Sequence, residues 1–151
     1  MSRVTAEVPA TVRVASRLFG PLDVVLDECY TMPEGMLGFA GERRFVLLPA
    51  ASSGIYWFQS VDDGSLIFLV VDPFELAPGY EVDLPELPET SRQHVVILTI
   101  VTLPRQKGDP CTTNLQAPLI LDLRDRTARQ VVLQDPRYHT RHPVDLRSRL
   151  G

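Results

Sequence analysis

The stretch that decides the fold reads Ile55-Tyr56-Trp57-Phe58-Gln59-Ser60-Val61, then Asp62-Asp63-Gly64, then Leu66-Ile67-Phe68-Leu69-Val70-Val71 and Asp72-Pro73. Two runs rich in β-branched and aromatic residues flank an acidic, glycine-containing turn, which is the pattern of a β-hairpin. Gly64 is expected to supply the positive φ of a tight turn. Pro73 is expected to end the second strand, because proline has no N–H for the ladder. Strand alternation puts Trp57 opposite to Tyr56 and Phe58, so both faces of the first strand carry aromatic mass. One face is core; the other is either a contact surface or the second layer of a sandwich, since interfaces favour Trp, Tyr and Phe.

Outward from this hairpin the same punctuation continues. Thirteen prolines and nine glycines leave no room for a long helix. Thr11 to Leu18 and Leu22 to Asp27 read as a first hairpin turned at Gly20-Pro21, and Arg44 to Leu48, His94 to Leu103, Pro118 to Leu123 and Ala128 to Gln134 read as further strands. Pro33, Pro49 and Pro104 also fall at the edges of apolar runs, and Leu123 to Thr127 reads as a turn linking the last two strands. Regular short strands predict an all-β domain, a small antiparallel barrel-like or sandwich structure with little helix. The one helix candidate is a turn within the acidic loop Leu84-Pro85-Glu86-Leu87-Pro88-Glu89, where two prolines oppose it. Residues 1–10 are expected to be a flexible extension, 11–144 the domain, and 145–151 an Arg-rich tail.

The bulk properties bound the function. A chain of 151 residues, 44% hydrophobic and 23% charged, has the balance of one soluble domain. Its longest apolar-type run, Val95 to Leu103, is about half of the ~20 residues a membrane-spanning helix needs. The first residues carry no apolar signal segment, and a cytoplasmic location is expected. Cys29 and Cys111 have no second ligand at metal spacing and read as small apolar groups rather than as a disulfide or zinc site. The net charge of −4 argues against a free-standing nucleic-acid binder. Charge is unevenly spread: Asp62 to Glu89 holds eight acids and no base, whereas Arg124 to Gly151 holds seven arginines against three aspartates. Such asymmetry suits docking on a charged protein partner.

Enzyme constellations are sparse. Gly35 to Gly41, the densest glycine region, lacks the strand-then-helix context of a phosphate-binding loop and reads as a surface loop. His139 and His142, with Asp135 as a third group, could support a metal-dependent hydrolase only on a helical turn that Pro143 opposes. No metal, cofactor or catalytic residue is expected. A barrel contacting RNA through Arg137, Arg141, Arg147 and Arg149 is a further reading, weakened by the acidic middle.

Several blocks in series carry a resemblance. Met32-Pro33-Glu34-Gly35-Met36-Leu37-Gly38-Phe39, Phe45-Val46-Leu47-Leu48-Pro49, Trp57 to Asp63, Phe68-Leu69-Val70-Val71-Asp72-Pro73-Phe74, Val95 to Pro104, Thr113-Asn114-Leu115-Gln116-Ala117-Pro118, Gln130-Val131-Val132-Leu133, and Tyr138 with Arg141-His142-Pro143 together resemble the flagellar assembly factor FliW family, in its order and approximate spacing over residues 11–144. The proline-rich linker between Tyr80 and His94 is short for that family, and the Arg-rich tail is additional.

The resemblance implies a non-catalytic, cytoplasmic, β-barrel-like protein, a monomer by expectation, with two protein partners bound in turn. One is the RNA-binding repressor CsrA, whose repression of flagellin translation is relieved without direct contact to nucleic acid. The other is flagellin. A flagellin binder of chaperone type without the CsrA arm is the alternative. On the resemblance, the partner-binding residues are Gln59, Phe68, Asp72, Phe74 and Asn114. Gln59 and Asn114 are expected to hydrogen-bond a partner's main chain at a sheet edge, and Phe68 and Phe74 to supply contact area.

Overall fold

The computed structural model describes residues 8–50, 52–84 and 92–146. The hairpin of the deciding stretch is its centre: β5 (Ile55–Ser60) runs antiparallel to β6 (Ile67–Val71), with Trp57 opposite Leu69 and Phe58 opposite Phe68. β4 (Arg44–Pro49) flanks β5 on the other edge. β7 (Val95–Thr102) flanks β6.

From β4 the ladder continues through β3 (Tyr30–Thr31) to β10 (Thr127–Gln130), the β3–β10 pair being parallel, and from β10 to β9 (Leu119–Asp122). β9 then pairs with β7 over Val95–Leu98, and the sheet closes into a seven-stranded barrel. Closure removes most of the free edges that an open sheet would present. Past the closure, β8 (Cys111–Thr113) pairs with the end of β7, and β11 (His142–Val144) pairs with β8.

The barrel interior is filled by Tyr30, Met32, Met36, Phe45, Phe58, Val70, Leu98, Leu119, Leu121 and Ala128. Phe45 and Phe58 stack at 4.6 Å between centroids, within the usual range for offset aromatic pairs. The outer face of the sheet is buried as well. The hairpin β1 (Thr11–Ser16) and β2 (Gly20–Val25) forms its own two-stranded sheet and packs Val14 and Val24 on Val46 and Val61. Near the other end, Val144 and Leu146 pack on Ile55, Leu69, Val71 and Val101. Both faces of β4 and β5 are therefore covered, which is why those strands read as continuous apolar runs.

Several local expectations are corrected. The first hairpin turns at Arg17-Leu18-Phe19, and Gly20 and Pro21 already lie in β2 opposite Ser16 and Ala15. Gly64 does not have positive φ. Its role is close approach: a Cβ there would collide with the Ala15 carbonyl of the docked hairpin. Among the described non-glycine residues, positive φ occurs at Arg126 (55°), in the β9–β10 turn, where its N–H donates to the Asp122 carbonyl.

Pro73 does more than stop β6, because it opens a helical turn, α1 (Pro73–Leu76), at the first-turn position that proline tolerates. β3, β8 and β11 are too short to show a period in sequence. The acidic loop beyond Leu84 lies outside the described residues up to Arg92. Leu146, the second residue of the expected tail, is 1% exposed. Cys29 and Cys111 are free thiols, buried and half-buried, and pack as apolar groups.

Candidate protein-binding surface

The five residues expected to bind a partner fall in different environments. Gln59 is fully buried on β5, a strand paired on both edges, so it does not reach a sheet edge. Its Oε1 accepts from the Ser16 hydroxyl at 2.8 Å, and its Nε2 lies 3.0–3.3 Å from the carbonyls of Ser60, Gly64 and Leu66. A side chain with every polar atom committed inside the fold has none left for a partner. Asn114 is half-buried, and its Oδ1 accepts from the N–H groups of Gln116 and Ala117 in a turn after β8. Asp72 caps α1, its carboxylate accepting from the Phe74 N–H at 2.9 Å. Phe68 is half-buried and packs edge-on against Phe39 and tilted against Phe45 at the barrel mouth.

Phe74 is the outlier. It is 46% exposed in the first turn of α1, with its ring 5.6 Å from Tyr80. Below it the chain is held firmly. The Tyr80 hydroxyl donates to the Leu115 carbonyl at 2.6 Å, the Glu81 N–H donates to the Tyr138 hydroxyl, and the two tyrosine rings meet edge to face at 4.7 Å. Burial, aided by the facing Tyr138, pushes the Tyr80 phenol well above its ordinary value. Phe74 is thus an exposed aromatic on a supported platform.

Sequence reasoning missed other exposed apolar groups. Leu37 and Phe39 project from the glycine-rich loop, while Met36 just before them turns inward to plug the barrel. Leu18 and Phe19 stand at the tip of the first hairpin, and Leu103 follows β7. The only signal for the first pair was an unusual density of glycine around apolar residues. For the second, the misplaced turn assigned Leu18 to a strand.

The charged readings find little geometry. Among the described residues no three His, Cys, Asp or Glu side chains come together to hold a metal ion. Asp135 is taken by Arg137 at 2.7 Å, an ion pair that holds the carboxylate below its ordinary value. The same guanidinium lies over the Tyr138 ring. Arg147 and Arg149 lie outside the described residues.

Comparison with known proteins matches this arrangement. The family model described as FliW protein covers residues 13–144, which take in all seven barrel strands and most of both covers. A flagellar assembly factor FliW from Caldicellulosiruptor bescii is 37% identical over 134 residues, 85% of this chain and 88% of the relative. One from Geobacter sulfurreducens is 40% identical over 138 residues, covering 86% and 84%. A crystal structure of the flagellar assembly factor FliW superposes with a TM-score of 0.75 at 29% identity, covering 87% of this chain and 96% of the other. The likeness in sequence and in three dimensions spans one and the same barrel, and the chain belongs to the FliW family.

Proposed function

We propose that the protein is a cytoplasmic flagellar assembly factor that acts by binding proteins rather than by catalysis. Its partners are the translational repressor CsrA and flagellin, taken in alternation: binding CsrA relieves repression of flagellin translation, and accumulating flagellin withdraws the factor and restores it. The observation that carries this reading is the family match across residues 13–144. The exposed aromatic and aliphatic residues, Phe74, Phe39, Leu18 and Phe19, support it, because side chains of this kind are over-represented at the centres of protein interfaces. The acidic run from Asp62 to Asp83 suits a basic RNA-binding partner, to which it contributes association rate more than affinity.

Titration calorimetry of the purified protein against CsrA and, separately, monomeric flagellin from the same organism tests the proposal. Binding to both with mutual competition is the expected result. Binding to flagellin alone replaces the switch with a chaperone-like role, and binding to neither removes both.

A further inference from the structure

A strand edge without a neighbour turns the N–H and C=O of every second residue outward, and such an edge is a template for another strand. Among the described residues three strands have a whole edge bare: β11, at the open end of the nine-stranded sheet, and β1 and β2, which pair only with each other. The ladders fix which residues face outward on each.

The Asn114 N–H donates to the Ile100 carbonyl, so Asn114 and Thr112 turn their main chain toward β7, and Cys111 and Thr113 turn theirs toward β11. Opposite them, Val144 and His142 face β8, and Pro143 is left on the bare edge, where it has no N–H to give. In the first hairpin the Leu26 N–H donates to the Ala10 carbonyl, so the bonded pairs that follow are Val12 with Val24, Val14 with Leu22 and Ser16 with Gly20. Pro21, Asp23 and Val25 then line the bare edge of β2, again with a proline. Thr11, Arg13 and Ala15 line that of β1, with none.

Two of the bare edges are thus blunted by proline, and the edge of β1 is open. Pro9, two residues before Thr11, limits it at one end. At the other end the Ala15 carbonyl lies against Gly64, and the Arg17 N–H donates to the Gly64 carbonyl. Between these limits the outward N–H and C=O groups of Thr11 and Arg13 have no partner among the described residues, and both residues are exposed.

The side chains define what fits beside them. Val12 and Val14 point to the barrel and pack with Val46 and Val61, so the inward residues of an added strand meet apolar neighbours. Arg13 points to solvent and holds Asp23 on its β2 side at 3.1 Å. An acid on an added strand flanks the same guanidinium from the open side, a favourable cross-strand pair. A second copy offering the same edge brings its own Arg13 opposite or diagonal to this one, and like charges so placed oppose the pairing. We infer that the open edge of β1 is a strand-addition site for an extended segment of a partner protein, apolar at alternate positions and carrying an aspartate or glutamate beside Arg13. This deepens the protein-binding function proposed above and rests on it.

The probe is a capped eight-residue peptide alternating valine with threonine, with one glutamate in the threonine series, N-methylated along one edge so that it cannot stack into sheets. Controls are the peptide N-methylated along both edges and a version with lysine replacing the glutamate. Amide hydrogen exchange of the full chain, read residue by residue by NMR, is the measurement. In the free protein the Thr11 and Arg13 amides are expected to exchange far faster than those of Val12 and Val14. Saturating peptide is expected to slow both, the doubly methylated control neither, and the lysine version is expected to bind more weakly. Thr11→Pro takes no bond from the β1–β2 ladder and places a proline on this edge as on the other two; affinity is expected to fall about tenfold or more. Arg13→Gln is expected to erase the preference for glutamate over lysine. Circular dichroism verifies the fold of both variants.

Slow exchange at Thr11 and Arg13 in the free chain, no protection by the peptide, equal protection by the doubly methylated control, or full affinity in folded Thr11→Pro overturns the proposal. Equal binding of the glutamate and lysine peptides overturns the acidic character of the partner segment. Protection that rises with protein concentration alone also overturns the proposal, by assigning the edge to a second copy. The peptide is read without CsrA or flagellin: an unresponsive edge in a chain that binds both proteins removes the edge alone, and peptide protection in a chain that binds neither removes the partner identities alone.

Discussion

The Ser16 hydroxyl donates to Gln59 Oε1 at 2.8 Å across a sequence separation of 43 residues, both side chains being buried. This bond joins the separate β1–β2 sheet to the central strand of the barrel. Through its Nε2 the same glutamine also reaches Gly64 and Leu66, the residues that lead from β5 into β6. Gln59 is therefore the point at which hairpin, strand and turn are held in one arrangement.

Gln59→Leu preserves volume but removes the acceptor of the Ser16 hydroxyl and the side-chain donor shared by the Ser60, Gly64 and Leu66 carbonyls, of which Gly64 and Leu66 keep the Arg17 and Ser60 N–H groups. Losing these buried bonds is expected to cost about 1–2 kcal/mol. Urea denaturation measures it. Binding to a partner per folded molecule is expected to stay unchanged; a variant of native stability with weakened binding would return Gln59 to the interface.

Gly64→Ala attacks the same junction from the other side. The new methyl group meets the Ala15 carbonyl, so either the hairpin lifts or the β5–β6 turn shifts. Overpacking of this kind costs about 1–3 kcal/mol. Hydrogen exchange separates the two responses: faster exchange confined to Thr11–Ser16 and Gly20–Val25 is expected, with Phe58 and Val70 still protected in the barrel.

Tyr80→Phe removes the donor to the buried Leu115 carbonyl and is expected to cost about 1–2 kcal/mol at neutral pH. A pH signature accompanies it. Burial first, and then the facing Tyr138, raise the folded-state phenol above its ordinary value of 10.0, so the unfolded chain gives up this proton before the folded one does. The associated stability is complete below about pH 10 and is lost as pH rises from there through the raised folded value. Denaturation midpoints for wild type are expected to fall more steeply above pH 10 than those of the phenylalanine variant; parallel curves would show that Tyr80 does not carry the effect.

The all-β class and the central hairpin were legible because β4 to β7 are long enough to show apolar runs bounded by proline and glycine. Barrel closure was not, since it depends on β7 pairing with β9 through residues that look the same whether the sheet is open or shut. The two-residue β3 and the parallel β3–β10 pair carry no period at all. Among the expected site residues, Phe74 follows an Asp-Pro pair that reads as a strand end, and the four-residue helical turn that leaves its ring exposed is too short to show a period. Gln59 was misread because a polar residue within an apolar strand looks like a surface position. Its donor is the Ser16 hydroxyl and its acceptors are carbonyls of Ser60 and the turn, and no local pattern announces a contact with a residue 43 positions away.

Phe74→Ala separates binding from folding. The ring is 46% exposed, and its main internal contact is the tilted pair with Tyr80, so truncation leaves no cavity in the barrel. The cap of α1 is untouched, because Asp72 accepts from the backbone N–H of residue 74 whatever side chain stands there. A stability change of about 1 kcal/mol or less is therefore expected, the size of one partly solvated aromatic pair. At an interface the same ring would be fully desolvated, where its loss costs at least about tenfold in affinity. Calorimetry against flagellin and CsrA, run beside thermal unfolding, reads both quantities. A large drop in melting temperature with affinity per folded molecule intact would make Phe74 part of the Tyr80–Tyr138 platform and remove it from the binding surface.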